Sequence, residues 1–176
     1  MILGLDISTS ITGATVIDSD GSCLYNEYWD TRNKKRFPSL FHKASYVKER
    51  LIDISYEYMI TSVFIEQSLQ SFRSGFSSAK TLSTLASFNG IVSYLCWNIY
   101  SMEPQMLAAS SARKSIGIQI KKGENSKQKS FDFVVANEPT FVVEYTRHGN
   151  PKPGTLDKSD SWVIAKAGHL ICTAKN

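Results

Sequence analysis

Four acidic residues stand at the ends of apolar segments, where a buried carboxylate is costly unless another charge compensates it. Asp6 and Glu66 each close a short apolar run, and Asp157 and Asp160 lead into a longer one. A divalent metal ion is the commonest compensating charge for such a set. Carboxylates without His or Cys suit Mg²⁺, which keeps several waters and takes few protein ligands per ion. The four acids therefore predict a magnesium site.

Each of these acids also has a purely structural interpretation. Asp6 would then pair with a nearby base, and Glu66 would end its strand without a role in chemistry. Asp157 and Asp160 are three residues apart, as an N-cap acid and an N3 acid are at the start of a helix. Four separate coincidences are less expected than one shared site, so the metal interpretation leads. Such a site can hold two Mg²⁺ ions about 3.5–4 Å apart, one activating water and one stabilising a departing 3′ oxygen.

Basic residues are concentrated in two stretches that contain few acids. One is 32–36, and the other runs from Arg113 to Lys129 with Glu124 as its single acid. Clustered bases beside buried acids indicate a polyanionic substrate held next to a metal. A solvated helix face is the alternative for any single lysine. The bases of the second stretch are Arg113, Lys114, Lys121, Lys122, Lys127 and Lys129.

The bulk composition bounds the class of protein. The 176 residues give room for one domain with a sizeable core, so a single domain over 1–176 is predicted. No apolar run approaches the roughly 20 residues of a membrane span, and no membrane partner is expected. The three cysteines are scattered, and no signal peptide is expected. We expect a cytoplasmic or nucleoid-associated protein that is not secreted, with a virus-infected cell or an organelle matrix as alternatives.

The elements that must position the acids begin with strands. Segments 1–7, 12–17 and 23–29 predict three strands in an antiparallel meander, because a turn signal at 18–21 precedes the third. A helix is predicted over 40–58. A buried strand over 63–66 follows it and is expected to run parallel to the first, since a helix connects them.

The second half of the chain reads mostly as helices. A long helix is predicted over 79–100, a short strand over 104–107, and two helices over 109–116 and 126–136. A loop or small hairpin over 140–156 leads to a last helix from about Asp157. The sequence thus predicts an α/β fold: a central mixed five-stranded sheet, three strands antiparallel and two parallel, flanked by helices.

Two features lie next to the acids in the sequence. Segment 68–78 reads as a mobile loop, in which Phe72, Arg73 and Phe76 look exposed. The two aromatic residues either reach a ligand or anchor the core. The long helix that follows carries a stripe of small side chains that allows close approach to a sheet or another helix. Its members are Ala79, Ser83, Ala86 and Gly90.

Three segments resemble the RuvC-type Holliday-junction resolvases of the RNase H-like superfamily. They are 1–13, 64–67 and 157–165, and they match in order, in approximate spacing and in the flanking Gln67. The resemblance covers nearly the whole chain, although no single motif is specific. It implies an RNase H-like fold and two bound Mg²⁺ ions, for which Mn²⁺ would substitute, with no small-molecule cofactor. The catalytic and metal-binding residues that it implies are Asp6, Glu66, Asp157 and Asp160.

The same resemblance implies a substrate and an assembly. The substrate would be a four-way DNA junction, cut symmetrically in two opposed strands by a homodimer in which the long helix from Ala79 is a candidate dimer element. Basic residues after the fifth strand would hold the DNA. They correspond to Lys114, with Lys121, Lys122, Lys127 or Lys129 as further candidates.

The chain departs from the bacterial pattern in two places. Bacterial members have an aromatic residue soon after the catalytic Glu, where this chain has 67–69, and Phe72 or Phe76 would have to substitute. Segment 140–156 is also longer, which points to a viral, phage or organellar branch.

Three other functions remain as alternatives. One is a broader RNase H-like nuclease acting on flaps, hybrids or replication intermediates. Another is a catalytically inactive junction-binding module, against which the complete set of acids argues. A third is an actin-like sugar kinase, because segment 4–13 resembles its first phosphate loop. That fold needs two domains and a second glycine-rich motif, which this chain does not have.

Overall fold

A computed structural model of the chain describes residues 1–67 and 79–174. Its strands are β1 (Ile2–Asp6), β2 (Ile11–Ile17), β3 (Cys23–Asp30), β4 (Ser62–Glu66) and β5 (Gln105–Leu107). They form one five-stranded sheet in the order β3-β2-β1-β4-β5. The pairs β1–β2 and β2–β3 are antiparallel, and the pairs β1–β4 and β4–β5 are parallel. The predicted fold class is confirmed.

Five helices in the described residues cover both faces of this sheet. They are α1 (Leu40–Glu57), α2 (Ala79–Tyr100), α3 (Ala109–Ser115), α4 (Ser126–Asn137) and α5 (Thr155–Thr173). Helices α1 and α2 pack on one face, and α3, α4 and α5 pack on the other. None of the helices in 1–67 and 79–174 is long and apolar enough to cross a membrane.

Successive side chains of a strand point to opposite faces of the sheet, so the core has two layers. Leu3 and Leu5 of β1 point towards α1 and α2, where Val47 and Phe88 are fully buried against the sheet. Ile2 points to the opposite face, as successive side chains of a strand do. It joins the cluster around α5, in which Trp162 is 3% exposed. The sheet is therefore sandwiched, and its strand ends are fixed by both layers.

Helix α5 lies unusually close to the sheet because glycines remove side chains from the contact. A Cβ atom on Gly4 would lie 2.5 Å from the backbone nitrogen of Ala165, and one on Gly168 would lie 2.4 Å from the ring of Phe64. A Cβ atom on Gly13 would lie 2.0 Å from the carbonyl oxygen of Asp157. Close packing on β1, β2 and β4 thus sets the position of the acidic start of α5.

The interpretation of Asp157 as the N-cap and Asp160 as the N3 residue is wrong. Helix α5 begins two residues before Asp157, and its N-cap is Gly154, in the left-handed conformation at φ 96°. Glycine adopts this conformation without the Cβ penalty, and the ring of Tyr28 fills the space that a Cβ would need. Asp157 consequently occupies the first turn and Asp160 the second, so neither residue is the N-cap.

Within the described residues, the stripe of small residues on α2 meets neither the sheet nor another helix. Its four members are exposed, and nothing lies within 4 Å of a Cβ built on Gly90. The same face continues into Tyr94 and Trp97, which are 59% and 53% exposed, with ring centroids 5.8 Å apart. The packing residues of α2 lie on its other side, where Phe88 and Val92 are fully buried.

Candidate active site

The sheet brings the first two acids to one edge. Asp6 ends β1 and Glu66 ends β4, and these two strands are adjacent and parallel. The carboxyl ends of parallel neighbours meet at the same edge of a sheet. Asp6 also pairs across the antiparallel ladder with Gly13. Since Gly13 lies against the Asp157 backbone, the start of α5 is held over the end of β1.

The four carboxylates act on one another electrostatically. The pKa of Asp6 is raised well above its ordinary value, first by burial and then by the negative charges of Glu66 and Asp160. Burial and the charge of Asp160 raise the pKa of Glu66 to about 7, although Arg113 and Lys127 act in the opposite direction. Both acids therefore resist ionisation in the protein without a further cation.

The two acids of α5 behave in the same way. Burial raises the pKa of Asp157 and that of Asp160, while Lys127 opposes both shifts. Asp160 is 4% exposed, and it lies three positions after Asp157 on the helix. All four candidate acids thus carry raised pKa values in one place. Such clustering of perturbed groups is typical of functional sites.

Lys127, in the first turn of α4, supplies a positive charge within this cluster. Its Nζ lies 3.3 Å from Oδ2 of Asp160, although half of its side chain is exposed. Burial tends to lower the pKa of Lys127, but the charges of Asp160, Asp6 and Asp157 outweigh it and raise that pKa. The ammonium therefore stays protonated at neutral pH and serves as a charge and a hydrogen-bond donor.

The other basic residues of the predicted set lie at different distances from the acids. Arg113 is half-buried, donates from Nε to Oγ of Ser130 at 3.1 Å, and lowers the pKa of Glu66 and Asp160. Lys129 pairs with Glu124 at 2.9 Å. Lys114, Lys121 and Lys122 are exposed. The structure brings Lys127 and Arg113 to the acids and leaves Lys114, the leading sequence candidate, on the surface.

Three predicted DNA-binding residues cannot be placed. Phe72, Arg73 and Phe76 lie outside the described residues, so their roles stay predictions.

One contribution to the site was missed from the sequence. The charge of Arg32, in the connection between β3 and α1, lowers the pKa of Asp157, and Asp157 raises that of Arg32. The sequence shows Arg32 in a basic stretch. The pairing of β3 with β2, and of β2 with β1, places that stretch beside the acids. Asp30, next to it, pairs with Ile11, only two residues along β2 from the partner of Asp6.

The chemistry of this donor set fits a divalent metal ion. Four carboxylates with raised pKa values face three cationic side chains, Lys127, Arg113 and Arg32, so negative charge remains uncompensated when all four ionise. Oxygen-only ligands are those that Mg²⁺ prefers. In the described parts of the chain, no three Asp, Glu, His or Cys side chains are already grouped to hold one ion. Lys127 instead occupies the place beside Asp160.

Structural comparison identifies the fold. No family model matches the sequence, and no curated protein matches it by sequence. The chain is similar to solved structures of Thermus thermophilus RuvC. One is RuvC in complex with a Holliday junction substrate, with a TM-score of 0.66 and 12% identity over 98% of this chain and 94% of that one.

Two further solved structures have the same fold. A second Thermus thermophilus RuvC structure gives a TM-score of 0.64 and 14% identity over 98% of this chain and 96% of that one. The yeast mitochondrial Holliday junction resolvase gives a TM-score of 0.58 and 12% identity over 96% of this chain and 77% of that one. The chain therefore has the fold of the RuvC-type resolvases, which the sequence motifs resemble.

Proposed function

We propose that this chain, which has the fold of the RuvC-type resolvases, is a metal-dependent endonuclease that cuts four-way DNA junctions. One observation carries the proposal: three separate segments deliver four carboxylates with raised pKa values to one edge of the sheet, around the ammonium of Lys127. Thermus thermophilus RuvC, which has the same fold, forms a complex with a Holliday junction substrate. That complex supports the choice of substrate.

Asp6, Glu66, Asp157 and Asp160 would hold two Mg²⁺ ions, with Mn²⁺ as a substitute. Bound there, the ions would activate water for in-line attack on the phosphodiester and stabilise the leaving oxygen. The carboxylates contribute by being rigidly placed, because Asp6 and Glu66 end buried strands and the α5 pair lies on a helix packed against the sheet. The protein thus presents its ligands with little reorganisation.

Lys127 and Arg113 would bind the phosphate that is cut. Lys127 keeps its proton at neutral pH, so its Nζ can donate a hydrogen bond to a phosphate oxygen, and the positive charge offsets the negative charge of the acids nearby. Arg113 is fixed by Ser130. A phosphate that approached the four acids without these cations would be repelled.

A homodimer would place two such sites on opposed strands of the junction. We assign its interface to the outward face of α2, defined by Ala79, Ser83, Ala86, Gly90, Tyr94 and Trp97. These residues recur at intervals of three or four and are exposed in the single chain. Small residues allow two helices to approach closely, and aromatic residues supply contact area at an interface. Paired cuts require the two sites to be held in one particle.

The test uses synthetic four-way junctions, flaps, hybrids and linear duplexes, with Mg²⁺ or with a chelator. Paired symmetric nicks confined to junctions and dependent on Mg²⁺ are expected. Asp160→Asn should bind junctions like the wild type but not cut them, because it removes a metal ligand and little volume. Equal cutting of flaps or hybrids would favour a broader RNase H-like nuclease. Junction binding without cleavage by the wild type would favour the inactive binding module.

A further inference from the structure

Apart from the basic stretch that contributes Arg113 and Lys127 to the acidic site, the most strongly basic part of the chain begins in the connection between β3 and α1. From Thr31 to Lys48 the sequence has six Lys and Arg residues and no Asp or Glu. Asp30, immediately before this segment, binds Arg32, with Nη2 and Oδ2 2.6 Å apart. The remaining bases have no acidic partner within the segment, so a large positive charge is left beside the acidic site.

Hydrogen bonds hold the backbone of the loop 31–36, here called the basic loop. The backbone nitrogen and the hydroxyl of Thr31 donate to the carbonyl oxygen of Ser10 at 2.8 and 3.1 Å. Oδ1 of Asn33 accepts from the backbone nitrogens of Lys35 and Arg36 at 3.0 and 3.2 Å. The loop is thereby tied to the β1–β2 turn, which directly follows Asp6.

The side chains at the base of the loop are also positioned. The guanidinium of Arg36 lies 5.1 Å from the ring centroid of Phe37 and 5.3 Å from that of Tyr46. Lys43, on the first turns of α1, donates from Nζ to the carbonyl oxygen of Thr9. Stacked or anchored bases lose little side-chain freedom when an anion binds, which favours binding.

The charges of this region repel one another until an anion is present. Burial and the positive charge of Lys34 lower the pKa of Lys43. Lys34 and Lys35 are exposed, and neither makes a side-chain contact with a carboxylate in the described part of the chain. A phosphate would relieve this repulsion and would be reached without disturbing the fold.

The distance from the acids matches a nucleic-acid strand. Asp30 lies two strands away from Asp6 in the sheet. Asp30 is also two residues further along, because it pairs with Ile11 and Asp6 pairs with Gly13. At about 4.8 Å per strand and about 3.3 Å per residue the separation is roughly 12 Å. Along a duplex axis this corresponds to about three to four steps of 3.4 Å. A backbone cut at the acidic site would therefore pass the basic loop within a few nucleotides.

We propose that the basic loop and Lys43 bind the phosphate backbone of the duplex arm next to the cut bond. This rests on the proposed function, because it takes the ligand to be the DNA that the acidic site cleaves. The basic loop would contact the substrate on one side of the acids, and Lys127 and Arg113 would contact it on the other. Such contacts position the strand and carry no sequence information.

Salt-dependent binding of a labelled four-way junction, measured in EDTA so that no cleavage occurs, tests the proposal. The double variant Lys34→Ala, Lys35→Ala should reduce the slope of log affinity against log salt by about two, since each phosphate contact contributes about 0.9. Between 50 and 200 mM salt the wild type should then lose roughly tenfold more affinity than the variant. Lys34→Arg, Lys35→Arg should restore the slope, because phosphates accept either cation.

Lys48→Ala is the matched control, since it removes an exposed charge from the same basic segment but further along α1. It should lower the slope by less than half a unit. If the double variant had the same salt slope as Lys48→Ala, while the wild type bound junctions tightly, this inference would be overturned and the proposed function would stand. A wild type that binds no junction would overturn both.

Discussion

The backbone of Gly13 lies directly beneath the carbonyl group of Asp157, so close that a methyl group on Gly13 would be 2.0 Å from that oxygen. Gly13 is also the ladder partner of Asp6. One glycine thus sets the distance between the acid on β1 and the acids on α5. The segment around it looked in the sequence like a loop for phosphate, but its glycine serves helix packing.

Gly13→Ala should therefore damage both stability and the site. The added methyl group must push α5 away from β2, and overpacking of this kind costs typically about 1–3 kcal/mol of unfolding free energy. Chemical denaturation would measure that loss, and calorimetric titration with Mg²⁺ would measure weaker metal binding. Ser45→Ala is the control: it changes an exposed residue of α1, away from the site and from the outward face of α2, and should raise helix stability by less than about 0.7 kcal/mol. Equal stability of the two variants would contradict the packing argument.

Lys127→Met should separate metal binding from cleavage. Loss of the ammonium beside Asp160 removes a charge that repels a metal ion, so the affinity for Mg²⁺ should rise. Cleavage should fall roughly a hundredfold or more, as when one preorganised donor is removed. Titration calorimetry and single-turnover cleavage of a junction check the two effects.

Lys129→Met is the matched control for this prediction, because Lys129 lies on the same helix but pairs with Glu124. It should change neither metal affinity nor cleavage appreciably. Weaker metal binding by Lys127→Met would mean that the lysine supports the site in some other way.

The raised pKa of Glu66 predicts how stability depends on pH without metal. The unfolded chain releases this proton near the ordinary value of 4.5, while the folded protein holds it until about 7. The folded state binds the extra proton between these values, so the free energy of unfolding should fall as pH rises from about 4.5 to 7. Below this window the contribution is fully present, and above it the contribution is lost.

Thermal unfolding in EDTA and in Mg²⁺ would test this dependence. Mg²⁺ should raise the melting temperature strongly at pH 8, when the carboxylates are ionised, and little at pH 5. Glu66→Gln should flatten the decline in EDTA between pH 4.5 and 7. A wild type whose stability in EDTA rises across that window would contradict the burial of this carboxyl group.

The dimer assignment predicts the effect of a charge on the outward face of α2. Gly90→Glu should convert a dimer to a monomer, because the carboxylate would be buried without a partner where two helices meet. Light scattering coupled to size-exclusion chromatography measures the mass. Val135→Glu, at an exposed position of α4 on the opposite face of the sheet, should leave the mass unchanged. A wild type that is monomeric at all accessible concentrations would refute the assignment.

Much of the fold follows from local sequence patterns. The helix predicted over 79–100 matches α2, and the strand predicted over 63–66 differs from β4 by one residue. Alternation and helical spacing are local properties, so they are readable without tertiary contacts. The start of α5 was misplaced because the acids of 157–160 imitate a cap, whereas the cap is a left-handed glycine packed against Tyr28.

The site was harder to predict than the fold. Asp6 and Glu66 are conspicuous because each ends an apolar run. Among several lysines, however, nothing local distinguishes Lys127 from Lys114. The difference arises because α4 packs against α5 and directs Lys127 towards Asp160, which is a long-range contact. Arg32 reaches the site by the same kind of tertiary arrangement.

Helix α4 is fastened to α5 near both of its ends. Lys127 near its start contacts Asp160, and Glu138 at its C-cap accepts a hydrogen bond from Nε1 of Trp162 at 2.9 Å. The two helices are thus expected to move as one body. An incoming metal ion would then displace the ammonium from Asp160 by rotation of the lysine side chain alone. Exposed side chains rotate on picosecond to nanosecond timescales, and domain movements are far slower. Loading of the site should consequently be limited by diffusion and dehydration of the ligand, with no slow opening step.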